Sequence, residues 1–281
     1  MKVLVTGCAG YLGSHVITAL EAEGHDVTGA DLFETPREKD CVVDLTVEGA
    51  VEGLLEGIEV IVHTAAIHPW KSYTDNQYLD NNTKPVHHVL KAAIAKSVRR
   101  VVYTSSIAAT GYGPAVEELP LREDAAPRPD DLYGCTKWFG EVFCQSFSKR
   151  SDLETVCIRP PAFMPKPELQ RGAGLLGMWA DVSDVVGAHV CAVSAAMPSK
   201  YEAFWATGSQ PYTAADAAGL RTNPREVLER YWPGVPAWFE ERGVKVGPVR
   251  VIYDLAKTRE VLGWQPKYTF DRWWRDHAHE L

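Results

Sequence analysis

The sequence predicts an α/β protein in which a doubly wound parallel sheet is covered by helices on both faces and carries a small, mostly C-terminal lobe. Two observations predict this class. Over residues 1–160, short unbroken apolar runs alternate with segments of helical spacing, and such runs are typical of parallel strands buried on both faces. Beyond residue 160 the sequence becomes irregular and rich in Trp, Pro and Gly, which favours a loop-rich second lobe.

The predicted elements follow one another in a regular order. Strands are expected at residues 3–6, 27–30, 41–43, 58–62, 100–104 and 155–158, and a further strand is indicated at 204–207. Helical segments are expected at 12–22, 51–55, 86–94, 132–147 and 181–196, with short helices near 224–231, 255–262 and 271–279. Residues 161–178 are predicted to be loop. The sheet domain is therefore expected to comprise residues 1–160 plus 181–210, and the lobe residues 161–180 plus 211–281.

Composition limits the kinds of partner. A formal net charge of −8 argues against nucleic acid, which requires a basic surface, so a small molecule is the expected partner. The six cysteines are scattered without a CxxC pair, which predicts neither disulfides nor a metal site and favours a cytoplasmic setting. No leader segment is recognisable, and no apolar stretch approaches the roughly 20 residues of a membrane span, so no membrane association is expected.

A glycine-rich stretch, TGCAGYLG, follows the first strand directly and opens the first helix. Gly7, Gly10 and Gly13 at this spacing allow a tight turn, close approach of the backbone to a pyrophosphate, and close packing of helix on strand. The first helical residues, Tyr11 and Leu12, then direct their amides toward the phosphates. The stretch therefore predicts a dinucleotide-binding loop.

Acidic residues at the ends of the next two strands bear on the choice of dinucleotide. Asp31 is placed to accept hydrogen bonds from the ribose hydroxyls and to repel a 2′-phosphate, and the nearest arginine, Arg37, is several residues away. We therefore expect NAD rather than NADP. Asp44, with Leu45 beside it, lies where adenine could reach it. An alternative is that Asp44 caps a helix that starts near Thr46.

Tyr133 and Lys137 lie four residues apart at the start of a long predicted helix, so their side chains share one face. A tyrosine has a pKa of about 10, and a neighbouring ammonium group lowers it by stabilising the phenolate. Ser106 follows the fifth strand, at the sheet edge where parallel sheets bind ligands. Together the three residues predict a site in which Ser106 orients a reacting oxygen and Tyr133 takes its proton.

These motifs together resemble the extended short-chain dehydrogenase/reductase family, also called the NAD-dependent epimerase/dehydratase family, over nearly the whole chain. The matching positions are TGxxGxxG at 6–13, HxAA at 63–66, Asn82, Ser106, YxxxK at 133–137, Arg159 with Pro160, the segment 181–185, and LGWxP at 262–266. The resemblance implies a Rossmann-type fold. The residues that it places against the cofactor are Ala65, Ala66, Asn82, Tyr133, Lys137 and Pro160. It also implies a homodimer that forms through the helices around 86–96 and 132–149.

A narrower resemblance, to uronate dehydrogenases, covers residues 128–134 and 139–141 and marks Arg171 as a clamp for a sugar carboxylate. The polar pair expected after the serine is replaced by Ile107 and Ala108. The stretch between Arg159 and Trp179 is shorter than the insertion with which nucleotide-sugar enzymes of the family grip the nucleotide. Two further residues, His68 and Trp70, lie in the loop after the fourth strand; with Ser106, Ile107 and Arg171 they are the expected substrate contacts.

Three functions are consistent with these residues. The leading hypothesis is an NAD-dependent oxidoreductase that removes hydride from a hydroxyl of a sugar or sugar acid. The alternative is an epimerase or dehydratase that acts on a sugar or nucleotide sugar and retains its NAD. A non-catalytic dinucleotide-binding regulator is the third, and the presence of Ser106, Tyr133 and Lys137 argues against it, because a sensor needs none of them.

Overall fold

The computed structural model describes residues 1–278 and contains one seven-stranded sheet, ordered β3-β2-β1-β4-β5-β6-β7, in which every neighbouring pair is parallel. The strands are β1 (Lys2–Thr6), β2 (Asp26–Asp31), β3 (Cys41–Val42), β4 (Val60–His63), β5 (Arg100–Thr104), β6 (Glu154–Arg159) and β7 (Tyr201–Trp205). The predicted fold class is thus confirmed, and the further strand indicated at 204–207 lies at 201–205.

Ten α-helices are described within residues 1–278. They are α1 (Tyr11–Ala22), α2 (Asp75–Asn82), α3 (Lys84–Ala95), α4 (Leu132–Lys149), α5 (Glu168–Leu175), α6 (Val182–Ser194), α7 (Ala217–Thr222), α8 (Pro224–Tyr231), α9 (Val235–Glu241) and α10 (Phe270–His277). A π-helical turn, Thr258–Leu262, stands where a short helix was expected. The expected end of the last helix, at residue 279, lies outside the described residues.

Two expectations about local structure were wrong. The segment 51–55 forms a short 3-10 turn, Glu52–Leu54, rather than an α-helix. The segment 161–178, expected to be loop, contains α5. Glycine in α5 serves packing, because a Cβ at Gly172 would overlap the indole ring of Trp273 in α10. A contact made across 100 residues of sequence therefore stabilises a helix that its Pro and Gly content argues against.

Apolar side chains from both faces of the sheet form two of the three buried clusters. One cluster lies between the sheet and helices α1 and α6, and the other between the sheet and helices α3 and α4. The central strands contribute to both, since Val3 and Val5 point to the first cluster and Leu4 to the second. This alternation on a fully buried strand explains why the strands appear in the sequence as unbroken apolar runs.

The third cluster is the core of the lobe, and it includes residues that leave the sheet. Ile107, after β5, and Trp205, at the end of β7, are buried in it together with residues of α7 to α10. The lobe therefore packs directly on the carboxyl edge of the sheet.

The segment that follows the π-helical turn fastens α6 to the sheet. The indole N–H of Trp264 donates to the carbonyl of Asp184 at 3.1 Å, and the close approach of the ring leaves little room beyond hydrogen at Gly187. The Asp184 carboxylate in turn accepts the backbone N–H groups of Lys267 and Tyr268, each at 2.8 Å. This segment therefore completes the layer that covers one face of the sheet.

Neither a membrane-spanning helix nor a cluster of metal-binding side chains is present within residues 1–278. None of the helices there is long and apolar enough to cross a membrane. Nor do three or more His, Cys, Asp or Glu side chains in that range gather closely enough to hold a metal ion.

Candidate active site

The glycine loop forms a cradle at the carboxyl end of β1. Gly7 has a φ of +76°, and a Cβ there would lie 2.6 Å from the backbone nitrogen of Ala65, so only glycine fits. The loop is held by hydrogen bonds from Gly7 N to Ala30 O at 2.8 Å and from Gly10 N to Gly7 O at 3.0 Å. Gly10 is the N-cap of α1 and makes no side-chain cap. The amides of the first turn of α1, which includes Tyr11 and Leu12, are thus suited to an anionic pyrophosphate.

Asp31 lies at the end of β2, beside this loop. One of its carboxylate oxygens accepts the N–H of Ala9 at 3.0 Å, and the other accepts that of Phe33 at 3.1 Å. Arg37 is turned to other partners, since its guanidinium pairs with Asp40 and Glu21. It is therefore not available to neutralise a 2′-phosphate, which supports the preference for NAD.

Asp44 closes a local turn and caps no helix, since no helix of the described residues starts near Thr46. Its carboxylate accepts the N–H and the hydroxyl of Thr46 at 2.9 and 2.7 Å, and these bonds lower the pKa of Asp44. Leu45 is buried, and its carbonyl accepts a hydrogen bond from His88 at 2.9 Å. A contact of either residue with adenine stays a prediction.

We predict that Asp31→Asn weakens binding of NAD and reduces the preference for NAD over NADP by about tenfold, since a charged acceptor of the ribose hydroxyls is lost. The check is the ratio of the two dissociation constants, measured by titration. Asp44→Asn is the matched control and should leave that ratio unchanged. An unchanged ratio in Asp31→Asn would mean that another residue selects the cofactor.

The loop after β4 is fixed by Asn82, which the resemblance places near the cofactor. The Asn82 side chain accepts the N–H of Ile67 at 2.8 Å and donates to the Ile67 carbonyl at 3.0 Å and the Thr136 hydroxyl at 3.2 Å. These bonds tie the loop that carries Ala65 and Ala66 to helix α4. Pro160 makes its contact through the backbone: its carbonyl accepts the N–H of Ile107 at 3.1 Å.

The start of α4 places Tyr133 next to Ser106. Asp131 caps the helix by accepting the Gly134 N–H at 2.6 Å, so Tyr133 falls in the first turn. Glycine at 134 allows the helix to approach the carbonyl of Ala108 closely. Burial raises the pKa of Tyr133, and a hydrogen bond with the Ser106 side chain opposes that rise. The predicted serine–tyrosine pair is therefore brought together in the structure.

Lys137 lies below Tyr133 and is 3% exposed. Its ammonium group donates to the Thr104 carbonyl at 2.8 Å and lies 5.8 Å from the centre of the Tyr133 ring. Burial lowers the pKa of Lys137 to about 7. The lysine is thus positioned to act on the charge of the tyrosine.

The titration of Lys137 predicts a pH dependence of stability in the cofactor-free protein. The folded pKa of about 7 lies below the unfolded value of about 10.4, so the unfolded chain binds the extra proton between them. Stability from this group is therefore present above about pH 10 and is lost as the pH falls toward about 7. In urea denaturation, the stability of wild type relative to Lys137→Met should rise between these pH values. A pH-independent difference would contradict the assignment.

A buried ion pair, which no sequence motif indicated, links the segment that carries Ser106 to the helix that carries Tyr133 and Lys137. Arg159 and Glu141 are 3% and 0% exposed and form a bidentate pair, with N–O distances of 2.9 and 2.7 Å. Glu141 lies one turn after Lys137 in α4, and it also accepts a hydrogen bond from Ser105, the neighbour of Ser106. Glu123 completes the network, since its carbonyl accepts from Arg159 at 2.8 Å.

His68 and Trp70, the predicted substrate contacts, lie close to Tyr133. The His68 ring is 4.7 Å from that of Tyr133, and the Trp70 indole stacks on His68 at 5.1 Å with 60% of its surface exposed. Burial and the charge of Lys137 lower the pKa of His68 to about 4, so the imidazole is neutral. Its buried Nδ1 finds no hydrogen-bond partner among residues 1–278.

A cavity of about 330 Å³ is lined in part by Ile107, the residue that follows Ser106 in the chain. A contact of Ile107 with substrate stays a prediction. The lining residues of the cavity are Ile107, Tyr112, Ala162, Met178, Pro248 and Arg250. Arg250 and Tyr112 could not be identified from the sequence, because neither belongs to a motif.

Arg171, the expected carboxylate clamp, already has carboxylate partners. Its guanidinium pairs with Glu168 at 2.7 Å and with Asp181 at 2.9 Å, and it lies over the ring of Tyr268 at 5.2 Å. A substrate carboxylate would therefore compete with two acidic side chains for this residue.

Comparison with known proteins decides the family. Residues 3–166, more than half of the chain, match the NAD dependent epimerase/dehydratase family. The chain belongs to this family. It is therefore an NAD-dependent enzyme of the extended short-chain dehydrogenase/reductase type, and NAD is its cofactor, as the sequence predicts.

Two relatives with different activities are each 29% identical to this chain. The uronate dehydrogenase of Pseudomonas syringae pv. tomato is 29% identical over an alignment that covers 66% of this chain and 66% of that protein. The UDP-glucose 4-epimerase of Mycolicibacterium smegmatis is also 29% identical, over 95% of this chain and 94% of that protein. Among solved structures, a short-chain dehydrogenase/reductase superfamily protein from Agrobacterium tumefaciens with bound NAD has a TM-score of 0.77 at 21% identity, covering 99% of this chain and 96% of that one. That last likeness concerns the fold.

Proposed function

We propose that this enzyme is a dehydrogenase that oxidises a hydroxyl of a sugar or sugar-acid substrate, with Tyr133 as the general base. The observation that carries the proposal is the grouping of Ser106, Tyr133 and Lys137 at the carboxyl edge of the sheet, the edge that also carries the glycine loop. A dinucleotide loop and a proton-transferring tyrosine at one edge suit direct hydride transfer.

Each side chain has a distinct part in this reaction. Ser106 donates a hydrogen bond to the substrate oxygen and holds it against Tyr133. Because burial raises the pKa of Tyr133, its phenol needs a nearby cation to lose a proton near neutral pH, and the ammonium group of Lys137 supplies that charge. Tyr133 then takes the hydroxyl proton, while NAD, when bound, accepts the hydride.

The packing of α5 favours a small substrate over a nucleotide sugar. The segment between Arg159 and Trp179 is short, and it is used to build the lobe core: Leu175, Leu176 and Trp179 are buried in it. In nucleotide-sugar enzymes that resemble this chain, a longer insertion at this place grips the nucleotide. The segment between Arg159 and Trp179 is buried in the lobe core, so it has no additional residues with which to hold a nucleotide.

The second candidate is a sugar epimerase that retains NAD. The observation in its favour is the alignment with a UDP-glucose 4-epimerase over 95% of this chain. The same Tyr133 would serve both reactions, because an epimerase also begins with removal of a hydroxyl proton.

The deciding experiment is to supply the purified protein with NAD and a panel of free sugars, uronic acids and nucleotide sugars. Steady accumulation of NADH absorbance with free sugars or uronic acids supports the dehydrogenase. Dinucleotide that copurifies with the protein, with epimerised product and no net NADH, would replace that proposal with the epimerase. Tyr133→Phe is the control and should abolish either activity.

A further inference from the structure

We infer that His189, a histidine of helix α6, is a positioning residue for Lys137 and acts on it through Thr104. The inference rests on the proposed function, since it concerns the ammonium group that allows Tyr133 to lose its proton. His189 is fully buried, and α6 covers the face of the sheet opposite to α4, the helix that carries the lysine. Its influence on the reaction therefore passes through the sheet and not through contact with substrate.

Two hydrogen bonds join His189 to the lysine across the end of β5. The Nε2 atom of His189 and the hydroxyl oxygen of Thr104 are 2.8 Å apart, and the Thr104 carbonyl accepts the ammonium group of Lys137 at 2.8 Å. Among residues 1–278, that carbonyl is the one hydrogen-bond partner of the ammonium group. The place of the Lys137 charge therefore depends on how firmly Thr104 is held.

A further hydrogen bond of His189 fixes the direction of its bond with Thr104. The Nδ1 atom lies 2.8 Å from the carbonyl oxygen of Val185, which can only accept, so Nδ1 carries the ring proton. Burial and the charge of Lys137 lower the pKa of His189 to about 4, so the ring holds only this proton at neutral pH. Its Nε2 atom is then an acceptor, and the Thr104 hydroxyl must donate to it. The Thr104 side chain is thus held in one orientation.

The other titratable groups near Lys137 supply no competing positive charge. The groups that face Lys137 are His63, His68, His189, Tyr103 and Tyr133. Those that face Tyr133 are Tyr78, Tyr112 and Asp131. Burial and the charge of Lys137 lower the pKa of His63 to about 3 and that of His68 to about 4, so both rings are neutral. Because His189 is neutral as well, loss of its hydrogen bond removes no charge, and a changed pH profile would report the position of the Lys137 charge.

A second pair of buried hydroxyl groups provides a matched control. Ser148 in α4 and Thr155 in β6 are both buried, and their hydroxyl oxygens are 2.8 Å apart. Thr155 lies near the amino end of its strand, three residues before Ile158, the residue that pairs with Thr104 in the sheet. This pair also joins a helix to the sheet through a threonine, but it lies away from the carboxyl edge and the lysine.

Thr104→Val tests the link with a small change of shape, because valine keeps the branched side chain and the backbone carbonyl but has no hydroxyl. We expect kcat/KM at neutral pH to fall about tenfold and to return toward the wild-type value at high pH, because a less firmly held ammonium group raises the pKa of Tyr133. His189→Phe should change the profile in the same way. Thr104→Ser, which keeps the hydroxyl, should restore most of the wild-type profile.

The measurement is the pH profile of NAD reduction with whichever free sugar or uronic acid is oxidised. Thr155→Val should lower the stability to urea and leave this profile unchanged. A loss in Thr104→Val that is the same at every pH, or an equal change of profile in Thr155→Val, would overturn the inference.

A titration that requires no turnover separates this inference from the proposed function. In cofactor-free protein isotopically labelled at the lysine Cε, the NMR signal of Lys137 is identified by its absence from Lys137→Met. We expect the pKa of Lys137 to fall in Thr104→Val and in His189→Phe, because a hydrogen bond to the charged form is weakened, and to stay at the wild-type value in Thr155→Val. This result without any NADH formation supports the inference, and only the proposed dehydrogenase then fails. An unchanged Lys137 pKa in Thr104→Val overturns the inference whatever the activity.

Discussion

Replacement of Tyr133 by Phe is expected to lower kcat by about two to four orders of magnitude while the affinity for NAD stays close to that of wild type. The substitution removes only the hydroxyl, the group that exchanges the proton. The aromatic ring, which packs against His68 at 4.7 Å, is retained, so the geometry of the site should persist. Ser106 then loses its partner and the substrate oxygen loses its base.

The measurement is steady-state turnover on whichever substrate reduces NAD, together with titration of NAD into the variant. Tyr212→Phe is the matched control, because that hydroxyl is also buried and donates to the Leu176 carbonyl at 2.7 Å, but it lies in the lobe core. Loss of the Tyr212 hydroxyl should affect stability and leave kcat unchanged. A Tyr133→Phe variant with kcat near wild type would exclude this tyrosine as the base.

Breaking the Arg159–Glu141 pair should have the largest effect on stability. Removal of one partner, as in Glu141→Ala, leaves an uncompensated buried charge and is expected to cost about 3–5 kcal/mol. The double variant Glu141→Leu with Arg159→Leu removes both charges and should recover a large part of that loss, because apolar pairs often replace buried ion pairs without penalty.

Urea denaturation of wild type, the single variants Glu141→Leu and Arg159→Leu, and the double variant completes a double-mutant cycle for this pair. The exposed pair between Lys200 and Asp152 provides the comparison, since such pairs contribute only about 0–1 kcal/mol. Equal losses from Glu141→Ala and Asp152→Ala would show that burial of the Arg159–Glu141 pair carries no special weight.

The sheet could be predicted from the sequence because each strand satisfies a local rule. A strand buried on both faces has an apolar residue at nearly every position. In β4 these are Val60, Ile61 and Val62, all fully buried. Helix α2 obeys no such rule. Its residues are mostly polar and it buries only Asn82, so it has no apolar face by which to recognise it. It begins at a capping box between Thr74 and Gln77, a signal that identifies a start but not a length.

The juxtaposition of Tyr133 and Lys137 could be predicted because their spacing is local, within a single helix. The residues that support them are not local. Ser105, Glu141 and Arg159 meet from three separate elements, and only the folded chain shows that they form one network. Arg171 and Arg250 look alike in the sequence. What separates them is their partners, since Arg171 meets two carboxylates and Arg250 lines a cavity.

The fastening of α6 by Trp264 and the residues after it has a consequence for synthesis. Chains emerge from the ribosome N-terminus first and fold as their parts become available. Strand β7 and helix α6 precede Trp264 by about 60 to 80 residues, so the glycine loop and Tyr133 are synthesised while α6 still lacks the hydrogen bonds that Trp264, Lys267 and Tyr268 make with it. A nascent chain at that stage exposes apolar surface, which chaperones recognise and which favours aggregation. Synthesis of residues 264–268 is therefore expected to reduce the apolar surface that the nascent chain exposes around α6.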